Sequence, residues 1–439
     1  MYREAIEELK QWKDSKRRKP LMITGVRQCG KTYLIKEFAK ECFRDYVYLN
    51  FEAEEKLADI FAYDYDVERI LKEIEQVTQQ KIVPGKTLLI FDEIQQCPQA
   101  ITSLKYFCEN KNGLHLVCAG SLLGVAIKSE NISFPVGKVN RMRLYPMSFK
   151  EFVIADGGAR YVEALTKWNV DRPIPDLYAR PMAEYLKQYY IVGGMPEAAQ
   201  SWVTNHDYGE VDEILAEILQ DYGDDFSKHA PVKEIEKIRW IWESVPKQLA
   251  KENNKFVFSH VKEGKRSAEL EDALQWLKDA GLIHTLELVP HIESPLTAYA
   301  DATYFKVYMS DIGLLRAKLK IAAKTIMEDG VELRTFKGAL AENYVFCQLN
   351  CLGIEPYFWR SNNTAELDFV FEEENAIYPV EVKAADNVRA KSYAQFCKKY
   401  KPKQGFKCSL KNIAQNECEG VKTISLPLYM LFELREYFS

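Results

Sequence analysis

No apolar run in this 439-residue chain approaches the roughly 18–20 residues that a membrane-spanning helix needs. A membrane partner is therefore not expected. The first twenty residues, MYREAIEELKQWKDSKRRKP, are charged throughout and hold no apolar signal-peptide core. Internal repeats and low-complexity tracts are also missing, which sets aside solenoids and biased disordered segments. The ten cysteines show no disulfide-framework spacing, and free thiols in a reducing cytoplasm are the simplest account of them. Cys347 and Cys351 lie four apart with no Cys or His pair beside them, so zinc is not expected. Basic excess is lacking too: 59 Lys and Arg stand against 64 Asp and Glu, for a net charge of −5. That excludes a generally basic coat for nucleic acid and leaves only local patches open.

What is present is a 47% hydrophobic, 28% charged composition, that of a globular protein. Its length calls for two or three domains. Residues 25–32 read GVRQCGKT, a complete G-x-x-x-x-G-K-[ST] phosphate-binding loop. Glycines at Gly25 and Gly30 let the backbone wrap a phosphate without a Cβ in the way. Amide groups of Gly25, Val26, Arg27, Gln28, Cys29 and Gly30, with the start of the following helix, point at the anion. Lys31 then reaches the β- and γ-phosphates, and the Thr32 hydroxyl ligates Mg²⁺. The flanks suit this reading. Pro20–Thr24 is a short buried strand by composition, and Thr32–Lys40 spaces Leu34, Ile35 and Phe38 at helical intervals.

Residues Thr87–Gln95 read TLLIFDEIQ, an apolar strand delivering Asp92 and Glu93. Asp92 is expected in the Mg²⁺ shell and Glu93 as general base for the attacking water. A further strand, Leu114–Ala119, ends at Gly120-Ser121. Ser121 is either a γ-phosphate sensor or a cap of the next helix. With Tyr46–Phe51 as another strand, strands alternating with helices predict an α/β fold with a parallel sheet. Lys138, Arg141 and Arg143 follow; one could act as a finger on a γ-phosphate. Arg141 and Arg143 alternate with Met142 and Leu144, which equally fits the solvated face of a strand.

Residues 160–250 are helical in period, and Gly193-Gly194-Met195-Pro196 stops one helix and begins another. Residues 255–290 have the pattern of a winged helix, with a helix over Ser267–Asp279 and a strand over His284–Val289. Glu269, Glu271, Asp272 and Asp279 make that helix acidic, unlike most DNA-reading helices, so protein contact and DNA contact both stay open.

The last hundred residues carry a second constellation. A helix over Lys337–Leu349 holds Glu342, a strand over Ala365–Phe371 holds Asp368, and a strand over Pro379–Ala384 holds Glu381 and Lys383. Alternation puts Glu381 and Lys383 on one face. Asp368 and Glu381, with Glu342 approaching from the helix, could share one Mg²⁺ or Mn²⁺, and Lys383 could orient a water or stabilise phosphate charge. This is the form of the PD-(D/E)xK nuclease motif; a Glu381–Lys383 surface pair is the plainer alternative. Lys398, Lys399, Lys401, Lys403 and Lys407 around Tyr400 could track a phosphate backbone or be a solvated helix end.

The strings ITGVRQCGKT, LLIFDEIQ, LYPMSFKEF, YYIVGGMPEA, FKGALAENYV, ELDFVF and PVEVKA occur in this order from about residue 20 to 385. In them the chain resembles prokaryotic AAA-type ATPases with a C-terminal restriction-endonuclease-like domain of unknown function. The resemblance implies ATP bound through Gly25–Thr32, a winged helix in the middle and a nuclease-like fold at the end. It implies no particular substrate. One departure is Lys138, where the family often carries Arg; lysine cannot make the forked contact of a guanidinium.

The expected organisation is thus an AAA-type P-loop ATPase domain over 1–155, a helical region over 156–250, a winged-helix-like domain over 251–330 and a PD-(D/E)xK nuclease-like domain over 331–439. The expected cofactors are ATP and Mg²⁺, with a second Mg²⁺ or Mn²⁺ for the C-terminal part. DNA, a protein partner or further copies of the chain are the partners left open, in a cytoplasmic protein. Two functions follow: an ATPase that regulates a DNA-directed nuclease-like module, or an ATP-dependent switch whose C-terminal domain only docks protein or DNA.

Overall fold

The computed structural model describes residues 1–126, 133–250, 255–328, 334–361, 365–383 and 391–438. The chain forms two compact units. One comprises Tyr2–Pro146 with Asp279–Leu282; the other comprises Met1, Met147–Lys278 and Ile283–Ser439.

The first unit opens with helix α1 (Ala5–Asp14), followed by β1 (Leu21–Thr24), α2 (Lys31–Cys42), β2 (Asp45–Asn50), α3 (Val67–Thr78), β3 (Thr87–Asp92), α4 (Pro98–Asn110), β4 (His115–Ala119) and β5 (Asn140–Arg143). The five strands make one sheet in the order β2-β3-β4-β1-β5, with parallel pairing throughout. β1, β3 and β4 lie inside the sheet and read as apolar runs because both faces are covered. Local chemistry sets the helix starts. Asp66 accepts from the amides of Glu68 and Arg69 to cap α3, and Pro98 supplies the first residue of α4. Phe51, Phe61, Phe91 and Phe107 meet edge to face in the core beneath β3. The crossover order places the C-terminal ends of β1, β3 and β4 at one edge of the sheet, where α/β sheets hold ligands.

In the second unit, α5 (Asp176–Val192), α6 (Pro196–Asn205), α7 (Tyr208–His229) and α8 (Ile235–Leu249) form the helical middle. They are followed by α9 (Ser267–Asp279), β6 (Ile283–Leu288), β7 (Asp301–Met309), α10 (Ile312–Lys318), α11 (Arg334–Cys351), β8 (Tyr357–Ser361), β9 (Ala365–Glu373), β10 (Ala376–Val382), α12 (Lys391–Tyr400), β11 (Gln404–Ser409), β12 (Ala414–Cys418) and β13 (Val421–Pro427). All eight strands belong to one mixed sheet, β12-β13-β11-β10-β9-β8-β6-β7. The helix expected over Ser267–Asp279 is α9, and its following strand pairs antiparallel with β7. That hairpin does not stand apart, however. Leu288 pairs with Phe358 of β8, and the Val289 amide donates to the Phe358 carbonyl at 2.8 Å, so strands on either side of residue 330 share one sheet. Joining β8 satisfies ladder groups that an isolated hairpin would leave at an open edge.

Candidate functional site

Two clusters carry the residues singled out in the sequence, one in each unit. In the first unit, β1 ends at Thr24 and the chain turns through Gly25–Gly30 into α2. Gln28 has φ 64° and Gly30 φ 91°, a left-handed geometry that suits glycine and bends the loop back on itself. Inside the loop the Lys31 ammonium donates to the carbonyls of Gly25 and Val26, both at 2.9 Å. Gly25 also has no room for a side chain, because a Cβ there would lie 2.3 Å from the Leu144 carbonyl oxygen.

β3 brings Asp92 and Glu93 to the same sheet edge. The Thr32 hydroxyl donates to Asp92 Oδ2 at 2.7 Å, so the two residues expected around Mg²⁺ are already joined. A hydroxyl beside a carboxylate is the hard oxygen donor set that Mg²⁺ takes. Tyr48 on β2, which no motif pointed to, donates its phenol to the same oxygen at 2.7 Å. Burial, followed by that bond to a carboxylate, pushes the Tyr48 phenol above its usual range. Asp92 Oδ1 in turn accepts the Glu93 amide at 3.1 Å.

Glu93 has φ 48°, a left-handed conformation that costs a non-glycine residue roughly 1–2 kcal/mol. It turns the side chain toward β4. There Glu93 Oε2 accepts from Gln95 Nε2 at 2.6 Å and from the Ser121 hydroxyl at 3.3 Å. Ser121 is therefore brought to Glu93, and Gln95 joins them as a residue the motif did not mark. The three cations beyond the sensor strand are placed differently. Lys138 pairs with Glu109 at 2.8 Å. Arg141 and Arg143 lie on the exposed face of β5, over the rings of Phe134 and Tyr145.

In the second unit, Glu342 comes from α11, Asp368 from β9 and Glu381 from β10, and Lys383 follows β10 directly. Ala384 lies outside the described residues. The antiparallel register pairs Phe369 with Val380, which sets Asp368 beside Glu381. Asp368 Oδ2 accepts the Val382 amide at 2.7 Å. Lys383 Nζ contacts Glu381 Oε1 at 2.6 Å, and Glu381 Oε2 is buried without a hydrogen-bond partner among the described residues.

Sequence reading missed the centre of this cluster. Lys306 of β7 is 1% exposed, and its ammonium lies 2.6 Å from Glu366 and 3.7 Å from Glu342. The Tyr308 hydroxyl donates to Glu342 Oε2 at 3.1 Å. A lysine inside the run YFKVYM gave the only hint, since alternation there breaks down where β7 becomes buried on both faces.

The electrostatics follow from this packing. Desolvation, then the charges of Glu381 and Glu342, push Asp368 well above the usual carboxylate range, against the pull of Lys306 and Lys383. Desolvation likewise raises Glu381, with Lys383 opposing. For Lys306, desolvation acts downward, but Glu342, Glu366 and Asp368 outweigh it and hold the ammonium charged. Among the described residues, no group of three or more His, Cys, Asp or Glu side chains has the geometry of a metal cage. No described helix is long and apolar enough to cross a membrane.

The parallel sheet, the phosphate loop and the Asp92-Glu93 strand define a nucleotide-binding α/β fold, and residues 17–153 match the AAA domain family. That match points to ATPase activity. Residues 183–325 match a domain of unknown function, DUF8612, and residues 337–429 match another, DUF4143. No curated relative matches the chain. Among solved structures it is similar to the Walker-type ATPase of Pyrococcus abyssi, at 14% identity over 72% of this chain and 95% of that one, with a TM-score of 0.43. It is similar to the ORC2 protein of Aeropyrum pernix in ADPNP and ADP complexes, at 12% identity over 77% and 94% of the two chains, with a TM-score of 0.35. A third likeness is the ORC1 protein of Aeropyrum pernix in complex with DNA, at 12% identity over 73% and 93%, with a TM-score of 0.29.

Proposed function

We propose that the first unit binds and hydrolyses Mg-ATP and that this activity regulates a DNA-directed, nuclease-like second unit. The observation carrying the ATPase half is the 2.7 Å hydrogen bond from Thr32 to Asp92, with Glu93 next in the chain. Gly25–Gly30 amides cradle the phosphates. Lys31 exchanges its two loop carbonyls for phosphate oxygens, which its single flexible charge can follow. Thr32 and Asp92 hold Mg²⁺, which when bound neutralises charge on the β- and γ-phosphates. Glu93 accepts the proton of the attacking water, and Ser121, now bonded to Glu93, is the group that senses the γ-phosphate. The test is ATP turnover with and without DNA in wild type and Lys31→Ala. Lys31→Ala is expected to lose nucleotide binding and hydrolysis together; unchanged turnover would remove the assignment.

For the second unit the supporting observations are the adjacent Asp368 and Glu381 and the Lys383 ammonium at their side. Asp368 and Glu381 are the residues to hold Mg²⁺ or Mn²⁺, with Lys383 stabilising phosphate charge. Cleavage of plasmid or single-stranded DNA with Mg²⁺ or Mn²⁺, and its loss in Lys383→Ala, is the check. No cleavage by wild type, with or without ATP, would leave the other reading: an ATP-dependent switch with a docking module. That reading draws support from Lys306, which already neutralises the Glu342 side of the cluster. It calls for partner capture that depends on ATP and survives Glu381→Ala.

A further inference from the structure

We infer that Lys306 is a resident counter-ion of the C-terminal carboxylate cluster and restricts it to a single divalent cation, held by Asp368 and Glu381. The inference rests on the metal-dependent reading of the second unit given above.

The carboxylates of the cluster differ in what engages them: Lys306 pairs directly with Glu366 and Glu342, while Asp368 and Glu381 make no ion pair with it. Lys306 is 1% exposed and lies between Glu366 and Glu342, at 2.6 and 3.7 Å, with its ammonium 5.1 Å from the Phe358 ring centre. Glu342 Oε2 is further engaged by the Tyr308 hydroxyl at 3.1 Å. A buried lysine cannot swing out to make room, because its stem is packed within the sheet. Its fixed positive charge repels any divalent ion that would use Glu342 or Glu366, and repulsion in a desolvated site is far stronger than in water. The helix glutamate is therefore satisfied by protein groups alone.

Glu381, by contrast, is 3% exposed, and its Oε2 has no hydrogen-bond partner among the described residues. Buried carboxylate oxygens are rarely left this way, because the lost solvation is not recovered. Lys383 holds only Oε1, and the Val382 amide fixes the neighbouring Asp368 through Oδ2. The open oxygen belongs to a hard donor set, suited to Mg²⁺ or Mn²⁺. A two-ion site would clamp both the attacking and the leaving oxygen of a phosphodiester. With Lys306 in place the cluster takes one ion, and Lys383, paired with Glu381 at 2.6 Å, provides the remaining positive charge.

The experiment counts Mn²⁺ by electron paramagnetic resonance in the nucleotide-free full chain, in an Asp92→Asn background that removes the metal-shell carboxylate of the phosphate loop. Without further change, one Mn²⁺ per chain is expected, lost in Asp368→Asn/Glu381→Gln. Lys306→Met should admit a second Mn²⁺, visible as a spin-coupled pair, and Lys306→Arg should return the count to one. A folded Lys306→Met protein that still takes one ion overturns the role of Lys306 and leaves the metal site standing. No Mn²⁺ sensitive to Asp368→Asn overturns the metal reading itself, and the inference with it. Where Lys306→Met does not fold, the chain with native Lys306 decides: two ions at the C-terminal cluster refute the restriction, and saturation at one supports it.

Discussion

Tyr48 and Asp92 are joined across neighbouring parallel strands, the phenol of one donating to Oδ2 of the other at 2.7 Å. The same oxygen takes the Thr32 hydroxyl, so strand β2 helps to fix a carboxylate that β3 delivers. Replacing Tyr48 by Phe removes one hydrogen bond to a charged group and keeps the ring on which the Lys36 ammonium sits at 3.9 Å. Such a bond contributes about 1.5 kcal/mol at the lower end. The expected result is a roughly tenfold higher Mg²⁺ requirement for ATP turnover, beside a loss of a few degrees in thermal stability. Magnesium titrations of Tyr48→Phe at saturating ATP would show it. An unchanged Mg²⁺ requirement would mean that Thr32 and the Glu93 amide position Asp92 without help.

Glu93→Gln separates binding from chemistry. Glutamine keeps the length of the side chain and can still accept from Ser121 and Gln95, but it cannot take a proton from water. Loss of a positioned base costs roughly 10²–10⁴-fold in rate. Turnover should fall by that order while ATP binding persists, as read by a fluorescent nucleotide. A variant that hydrolyses ATP at the wild-type rate would move the base elsewhere.

These two residues also mark what could be read in advance. Lys31, Thr32, Asp92 and Glu93 stood out because each lies in a short run whose spacing is itself the chemistry. Tyr48 and Gln95 did not, since a tyrosine in a strand and a glutamine in a turn have ordinary structural roles. The C-terminal cluster shows the same limit more sharply. Asp368, Glu381 and Lys383 follow from strand alternation, whereas Lys306 belongs to a hairpin that the sequence assigns to a winged helix. The pairing of Leu288 with Phe358 brings that hairpin into the sheet, and no local pattern encodes a contact at that distance. For the same reason the boundary expected at residue 330 does not coincide with a break in the sheet.

Gly194 has a packing reason to lack a side chain. A Cβ there would lie 2.2 Å from the Met147 carbonyl oxygen and 2.8 Å from its amide nitrogen. Its backbone is committed as well: the Gly194 amide donates to Asp311 at 2.6 Å, and its carbonyl accepts the Met147 amide at 2.7 Å. Gly194→Ala must displace backbone and weaken both bonds, a cost of about 3 kcal/mol or more. Gly223, inside α7, is the control, with nothing within 4 Å of an added Cβ. Gly223→Ala should stabilise by about 0.5–1 kcal/mol. Urea unfolding of the two variants tests the pair, and equal small effects would contradict the packing account of Gly194.

His115 predicts how the first unit responds to acid. It lies on β4 among Phe43 and Trp12, with ring centres at 4.9 and 5.9 Å, and its Nδ1 is buried without a hydrogen-bond partner among the described residues. Burial, then the nearby Arg18 and Lys13 charges, lowers the imidazole to about 4, against weaker opposition from a backbone hydrogen bond and Asp14. An unfolded histidine titrates near about 6.5. Above that value both states are neutral, and the contribution of His115 is fully present. As pH falls from about 6.5 toward about 4, the unfolded chain gains a proton that the folded chain refuses, and stability is lost. At about 1.4 kcal/mol per unit the loss approaches roughly 3 kcal/mol over the whole window. His115→Phe retains an aromatic ring against Phe43 and removes the titration. Its urea midpoint should therefore fall less than that of wild type between pH 7 and pH 5. Parallel curves for the two proteins would place the acid sensitivity at another group, because only the His115 share disappears with the imidazole.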